Sequence, residues 1–154
     1  MLEIVTPSLE DMWFREQLLA DEETMSYNHA WGGTVLFPKE DWMEFYDFWV
    51  LHPDDRHYYR YLKNDAGEFV GEIAYHYSSE YSAYMINVII YAPYRRSGYG
   101  SEGLDLLCDV AKERGISVLY DDIAIDNPAI SMFLAHGFTE VSRTPDVVLL
   151  KKHL

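Results

Sequence analysis

The chain has 154 residues, 49% of them apolar and 25% charged, which suits one folded domain without a linker or a disordered tail. Its 26 acidic residues against 12 basic ones leave a formal net charge of −14, which disfavours nucleic-acid backbones and anionic membranes and favours small cations. A single cysteine, Cys108, excludes an intrachain disulfide and a thiolate-built metal site. Apolar runs too short for a membrane span and a start, MLEIVTPSLEDMW, without a secretion-signal pattern make the cytoplasm the expected compartment.

The run LEIVT reads as a first strand. Ser8 with Asp11 makes a capping-box pattern that opens a helix ending near Ala20, with Met12, Phe14, Leu18 and Leu19 available for burial. In DEETMSYNHAWGGTVLF, Asp21 or Glu22 opens a short helix that Gly32-Gly33 breaks. Pro38 suits the first turn of a helix over 38–52, where Trp42, Phe45 and Trp49 recur at helical spacing beside Met43, Tyr46 and Val50. So wide an aromatic face belongs to the core, to a substrate cleft or to a partner surface. Three extended runs follow, RHYYRYLKN, FVGEIAYHYSS and YSAYMINVIIYAP, and read as an antiparallel meander. GYGSEGLDLLCDVAKERG then returns to helical period, with Leu104, Leu107, Cys108 and Ala111 on one stripe and Gly115 as its stop. After the strand ISVLYDDIAI, Asn127 and Pro128 fit the cap and first position of a helix that stops at Gly137, before two closing strands, FTEVSR and VVLLKK. The order β-α-α-β-β-β-α-β-α-β-β predicts an α+β fold with a mixed sheet rather than a bundle.

Behind the apolar run INVIIY, the stretch YRRSGYGS concentrates arginine, glycine and serine in an acidic chain. It falls between a strand end and a helix start, where first-turn amides lack intrahelical acceptors and the dipole is positive, so an anion is the natural partner. Gly98 and Gly100 allow a phosphate close to the backbone, Arg95 and Arg96 add charge-assisted bonds, and Ser101 is placed to cap.

Arg95-Arg96-Ser97-Gly98-Tyr99-Gly100 resembles the R/Q-x-x-G-x-G/A signature of the GCN5-related N-acetyltransferases. DDIAIDNPAISMFLAHGF resembles that family's following strand, asparagine and GF-ended helix, and together the matching segments cover residues 84–138. The resemblance implies a largely antiparallel central sheet flanked by helices, with acetyl-CoA as cosubstrate and its pyrophosphate on the loop from Arg95 to Ser101. It also implies that main-chain groups of Val88, Ile89 and Ile90 hold the pantetheine arm, in a V-shaped gap between the strands of Ile90 and Ile123. An amide near Ile90 then polarises the thioester carbonyl for direct attack by an amine.

Aligning Asn127 with the family's asparagine, at the cofactor, makes Asp122 the strand carboxylate and candidate base, with Ile123 in the core. A gapless alignment back from Gly137 substitutes Asp126 and Asp121 and buries Asp122. The first register is preferred because a buried unpaired carboxylate is costly. Phe133 stands where the family carries a tyrosine acid. It cannot donate a proton, so it is expected to pack against the cofactor arm, and thiolate protonation falls to water, the substrate's own proton, or a residue such as Tyr99 or Tyr120.

Glu72 is the second catalytic candidate, a base or an ammonium anchor, weighed against a partly solvated strand carboxylate. His76 reads as a hydrogen-bonded strand histidine, Cys108 as core, and Asn28, His29 and the WGG stretch as an acceptor-side loop by position alone. The histidines show no metal-ligand spacing, and no metal is expected. The expectation is therefore one domain, residues 1–154, acting as an acetyl-CoA-dependent N-acetyltransferase on a small-molecule amine, cationic by the charge argument, with no nucleic-acid or membrane partner. Two rivals are a non-catalytic acyl-CoA-binding or sensing module and an interaction protein whose helix 38–52 docks a partner or builds a homodimer.

Overall fold

The computed structural model describes residues 1–154. Its strands are β1 (Glu3–Val5), β2 (His57–Lys63), β3 (Phe69–Ser78), β4 (Ala83–Ile90), β5 (Val118–Ala124), β6 (Thr139–Arg143) and β7 (Val147–His153). They form one sheet in the order β1-β2-β3-β4-β5-β7-β6. Every pairing is antiparallel except β4 with β5, which the crossover helix between them makes parallel. The α+β class with a mixed, largely antiparallel sheet is the predicted one.

Helices cover both faces, so the central strands carry apolar groups on both sides instead of alternating with polar ones. On one face α1 (Met12–Ala20) packs Met12, Phe14, Leu18 and Leu19 against Tyr59, Tyr61 and Ala74, and α2 (Lys39–Tyr46) lies beside it. On the other, α3 (Tyr99–Glu113) buries Leu104, Leu107, Cys108 and Ala111 against Leu62, Ile73, Ile86 and Leu119, with Phe133 of α4 (Ala129–Ala135). α3 approaches closely because Gly103 has no side chain; a Cβ there would stand 2.8 Å from Leu62 Cδ1.

The segment 21–52 departs most from expectation. Asp21 does open a turn, its carboxylate accepting from the Thr24 N–H and hydroxyl, but the short helix forms later, as a 3₁₀ helix over Ser26–Trp31 that Gly32 ends at φ 104°. Pro38 is the extended residue before α2 rather than a member of its first turn. α2 stays regular only to Tyr46; Asp47–Leu51 is a π-helical turn, with the His52 N–H donating to the Asp47 carbonyl at 3.0 Å. That turn sets Trp49 against Phe45, ring centroids 5.8 Å apart and nearly parallel.

Candidate active site

β4 and β5 pair only at Tyr84 with Leu119 and at Met85 with Tyr120, and then separate. A cleft of about 810 Å³ occupies the gap, lined by both strands, by Phe45 and Trp49, by the loop after β4 and by the start of α4. Which main-chain groups face it follows from the register. The Tyr91 N–H donates to the Val70 carbonyl of the β3 side at 2.8 Å, and neighbouring strand residues alternate in direction, so Ile89 also turns its N–H and C=O to β3. Val88 and Ile90 turn theirs to the cleft. Three consecutive residues therefore cannot all offer main-chain groups to the cleft, as was expected of Val88, Ile89 and Ile90: only Val88 and Ile90 do, and Ile89 turns its side chain to the α1/α2 face.

The loop after β4 is held in an unusual shape. Arg96 has φ 67° and Gly98 φ 81°, and a left-handed non-glycine residue costs about 1–2 kcal/mol, strain that concentrates at ligand sites. None of the main-chain N–H groups from Arg96 to Ser101 has an acceptor within the protein; the first internal bond of α3 runs from the Glu102 N–H to the Gly98 carbonyl. Arg96, Ser97 and Gly98 are exposed, and Tyr99, Gly100 and Ser101 line the cleft. Arg95 differs from expectation: its guanidinium donates to the Glu23 and Thr24 carbonyls at 3.1 and 2.7 Å, bracing the segment before the 3₁₀ helix. The Ser101 hydroxyl does not cap α3 either, lying 2.6 Å from His136 Nε2.

The sheet register separates the remaining candidates by face. Glu72 and His76 of β3, Asn87 of β4 and Asp122 of β5 look toward α1 and α2, whereas Asp121 shares the α3 face with Leu119 and Ile123. Glu72 is not the partly solvated carboxylate expected: it is 1% exposed, both its oxygens lie 2.8 Å from Arg15 Nη1, and the Tyr59 hydroxyl donates to one of them. Burial alone would lower the Arg15 pKa, but the charge of Glu72 and its hydrogen bonds to the guanidinium outweigh it and keep the group protonated, seated 4.0 Å from the centre of the Phe45 ring. Arg15, Glu72 and Tyr59 thus form one hydrogen-bonded polar unit in the cleft wall, with the buried Arg15 Nε left without a partner.

Asp122 is half-buried, with the Tyr81 hydroxyl 3.5 Å from its carboxylate. Tyr81 is held over the cleft by a turn in which Ser82 has φ 50°. The charge of Asp122, ahead of slight burial, pushes the Tyr81 pKa up, and burial lowers that of His76 while Asp122 opposes the change. Burial, and then the charge of Asp122, hold the Asp121 carboxyl well above the usual carboxylate range. Ile123 is buried as the preferred register requires. Asn127 caps α4, its side-chain oxygen accepting from the Ala129 N–H at 2.9 Å, and lines the cleft. Phe133 is buried edge-on against Phe138 and reaches the same cleft. His29 crosses from the 3₁₀ helix to Asp126, Nε2 to carboxylate 3.0 Å.

Sequence reasoning passed over Arg15, Tyr59, Tyr81 and His136. Their partners lie far along the chain, and only Tyr59, alternating with Tyr61 in β2, carried a local sign of which face it takes.

Residues 14–138 match the model of the Acetyltransferase (GNAT) family. The chain belongs to that family, and is an acetyl-CoA-dependent N-acetyltransferase. Solved structures of the same fold include the spermidine N-acetyltransferase of Vibrio cholerae in complex with CoA and spermine, at 17% identity and TM-score 0.83, covering 99% of this chain and 95% of that one. An acetyltransferase of Thermus thermophilus aligns at 19% identity and TM-score 0.75, over 100% and 97% of the two chains. A GNAT-family acetyltransferase of Bacillus anthracis does so at 18% and 0.76, over 99% and 94%. No curated protein matches the chain. No helix is long and apolar enough to cross a membrane.

Proposed function

We propose that the chain transfers the acetyl group of acetyl-CoA to a primary amine of a small, cationic acceptor by direct attack. The observation that carries the reading is the opening between β4 and β5. It runs from a loop of unpartnered amides to a chamber whose walls are aromatic rings, Phe45, Trp49, Tyr59 and Tyr81, and carboxylates, Glu80 and Asp122. Such walls suit an ammonium group through ring quadrupoles and charge. The Vibrio cholerae relative, named for spermidine and solved with spermine, supports a small amine.

In this reading the loop from Arg96 to Ser101 holds the pyrophosphate, Arg95 braces the loop, and Asn127 and Phe133 flank the arm. The cleft-facing main chain of Val88 and Ile90 aligns the pantetheine, and an N–H there stabilises the oxyanion as the amine adds. The amine enters from the α1/α2 face, where Asp122 takes its proton directly or through water. The thiolate leaves on the α3 face, where Phe133 has no proton to give and the Asp121 carboxyl holds one. An adjacent pair of carboxyls, one of them kept protonated by burial, is a common acid–base arrangement. Glu72, with both oxygens engaged, keeps Arg15 and Tyr59 in place and takes no proton. The test is thiol release from acetyl-CoA across polyamines, aminoglycosides, amino-acid derivatives and peptide amino termini. Turnover concentrated on polycationic amines supports the reading; turnover confined to neutral or anionic amines, or none on any class, overturns it.

A further inference from the structure

One cluster outside the acceptor chamber has the composition of a proton relay. Ser101 and Asp105 lie one turn apart on α3, and both reach His136, the residue that follows α4. Ser101 Oγ is 2.6 Å from His136 Nε2, and Asp105 Oδ1 is 2.7 Å from His136 Nδ1. The imidazole is 22% exposed, and Ser101 lines the cleft beside the free amides.

Counting protons makes the cluster informative. A carboxylate only accepts, so His136 Nδ1 carries its hydrogen toward Asp105. In the neutral ring Nε2 is then an acceptor, and the short contact requires the Ser101 hydroxyl to donate to it. Ser101 is left with lone pairs alone to present to the loop, where a phosphate oxygen also only accepts. A proton added at Nε2 reverses the arrangement: the imidazolium donates at both nitrogens, Ser101 Oγ accepts from Nε2, and the hydroxyl hydrogen turns to the phosphate.

We propose that His136 is a positioning residue for the cofactor's pyrophosphate, taking up a proton as the phosphate binds and thereby making acetyl-CoA affinity depend on pH. The inference rests on the reading of the loop as the pyrophosphate site. The groups in contact with the ring are Asp105 and Ser101 from α3; the nearest cation from β7 is Lys152, whose Nζ lies 3.8 Å from where a Cβ on the next residue, Gly137, would stand. Lys152 favours the neutral ring; Asp105 and an arriving phosphate favour the charged one. The sign follows: the bound state holds the proton more tightly. Affinity is therefore constant at pH values below the titration of the free ring. It falls by up to about tenfold per pH unit between the free and bound titrations and is level above both.

The experiment is calorimetric titration of the full chain with CoA, in buffer pairs of different ionisation enthalpy, through the histidine range. Wild type takes up about one proton per CoA at its maximum. His136→Gln, whose amide donates to Ser101 at any pH, binds with an affinity flat in pH and takes up about none. Asp105→Asn moves the fall in affinity to lower pH. CoA binding by wild type without proton uptake, or a wild-type pH slope retained in His136→Gln, overturns the proposal alone. Failure to bind CoA at any pH overturns the loop assignment and this inference with it.

Discussion

At the residue scale, the Arg15–Glu72 pair is a demanding one, because a buried charge is tolerated only while its partner stays. Arg15→Met leaves Glu72 uncompensated and should destabilise the fold by about 3–5 kcal/mol, read as a drop in the urea midpoint. A loss under about 1 kcal/mol would mean that the pair is screened like a surface bridge. Asp121 and Asp122 give opposite signatures. As the proposed base, Asp122 must be ionised, so Asp122→Asn should lower kcat by about 10²-fold or more and remove the acid limb of the pH profile. As the proposed acid, Asp121 must be protonated, so Asp121→Asn should slow turnover and remove the alkaline limb. Asp121 also bears on stability: its folded pKa is raised, so its contribution is full below the unfolded value and is lost as pH rises through the folded one. Asp121→Asn should therefore melt higher than wild type at alkaline pH, with the difference vanishing in acid; equal melting throughout would show that the carboxyl is hydrated in the cleft.

At the element scale, β3 and β4 come unusually close at Gly71, where a Cβ would stand 2.4 Å from the Ile89 carbonyl oxygen. At Gly103 of α3 the only tight contact would be with the flexible end of Leu62, with Ile73 and Val88 at ordinary contact distance. Gly71→Ala should thus cost clearly more stability than Gly103→Ala, since a side chain can rotate and a sheet carbonyl cannot; a reversed order in chemical denaturation would contradict the packing. The same distinction between local and distant partners explains what the sequence made legible. The succession of strands along the chain, α3 and the glycine loop were readable because period, caps and turn chemistry lie within a few neighbours. The π-helical turn at Asp47–Leu51 was not, since its aromatic spacing fits an ordinary helix equally well. Nor could the sequence say that Arg95 reaches back to Glu23 and Thr24, or that the main-chain groups of Val88 and Ile90 but not those of Ile89 turn to the cleft, because both depend on how separate elements meet.

For the whole molecule, a net charge of −14 acts on both substrates of the proposed reaction. It attracts a cationic amine and repels acetyl-CoA, and salt weakens both effects, with a Debye length of about 8 Å at ~0.15 M. Raising salt to that level should lower kcat/KM for a polycationic acceptor several-fold while leaving that for a neutral amine nearly unchanged; equal slopes would mean that charge plays no part in acceptor choice. The sheet itself is almost torn along the line between β4 and β5, where two residue pairs are all that join its halves. On one side the α3 core binds the halves together. On the other, the segment beginning at Asp21 is pinned to one lip by Arg95 and Thr24, and to the far lip by His29 and Asp126. That tether spans the tear like a suture, so the width of the fissure, and with it the bulk of molecule that can thread it, is set by a stretch of chain that belongs to neither half.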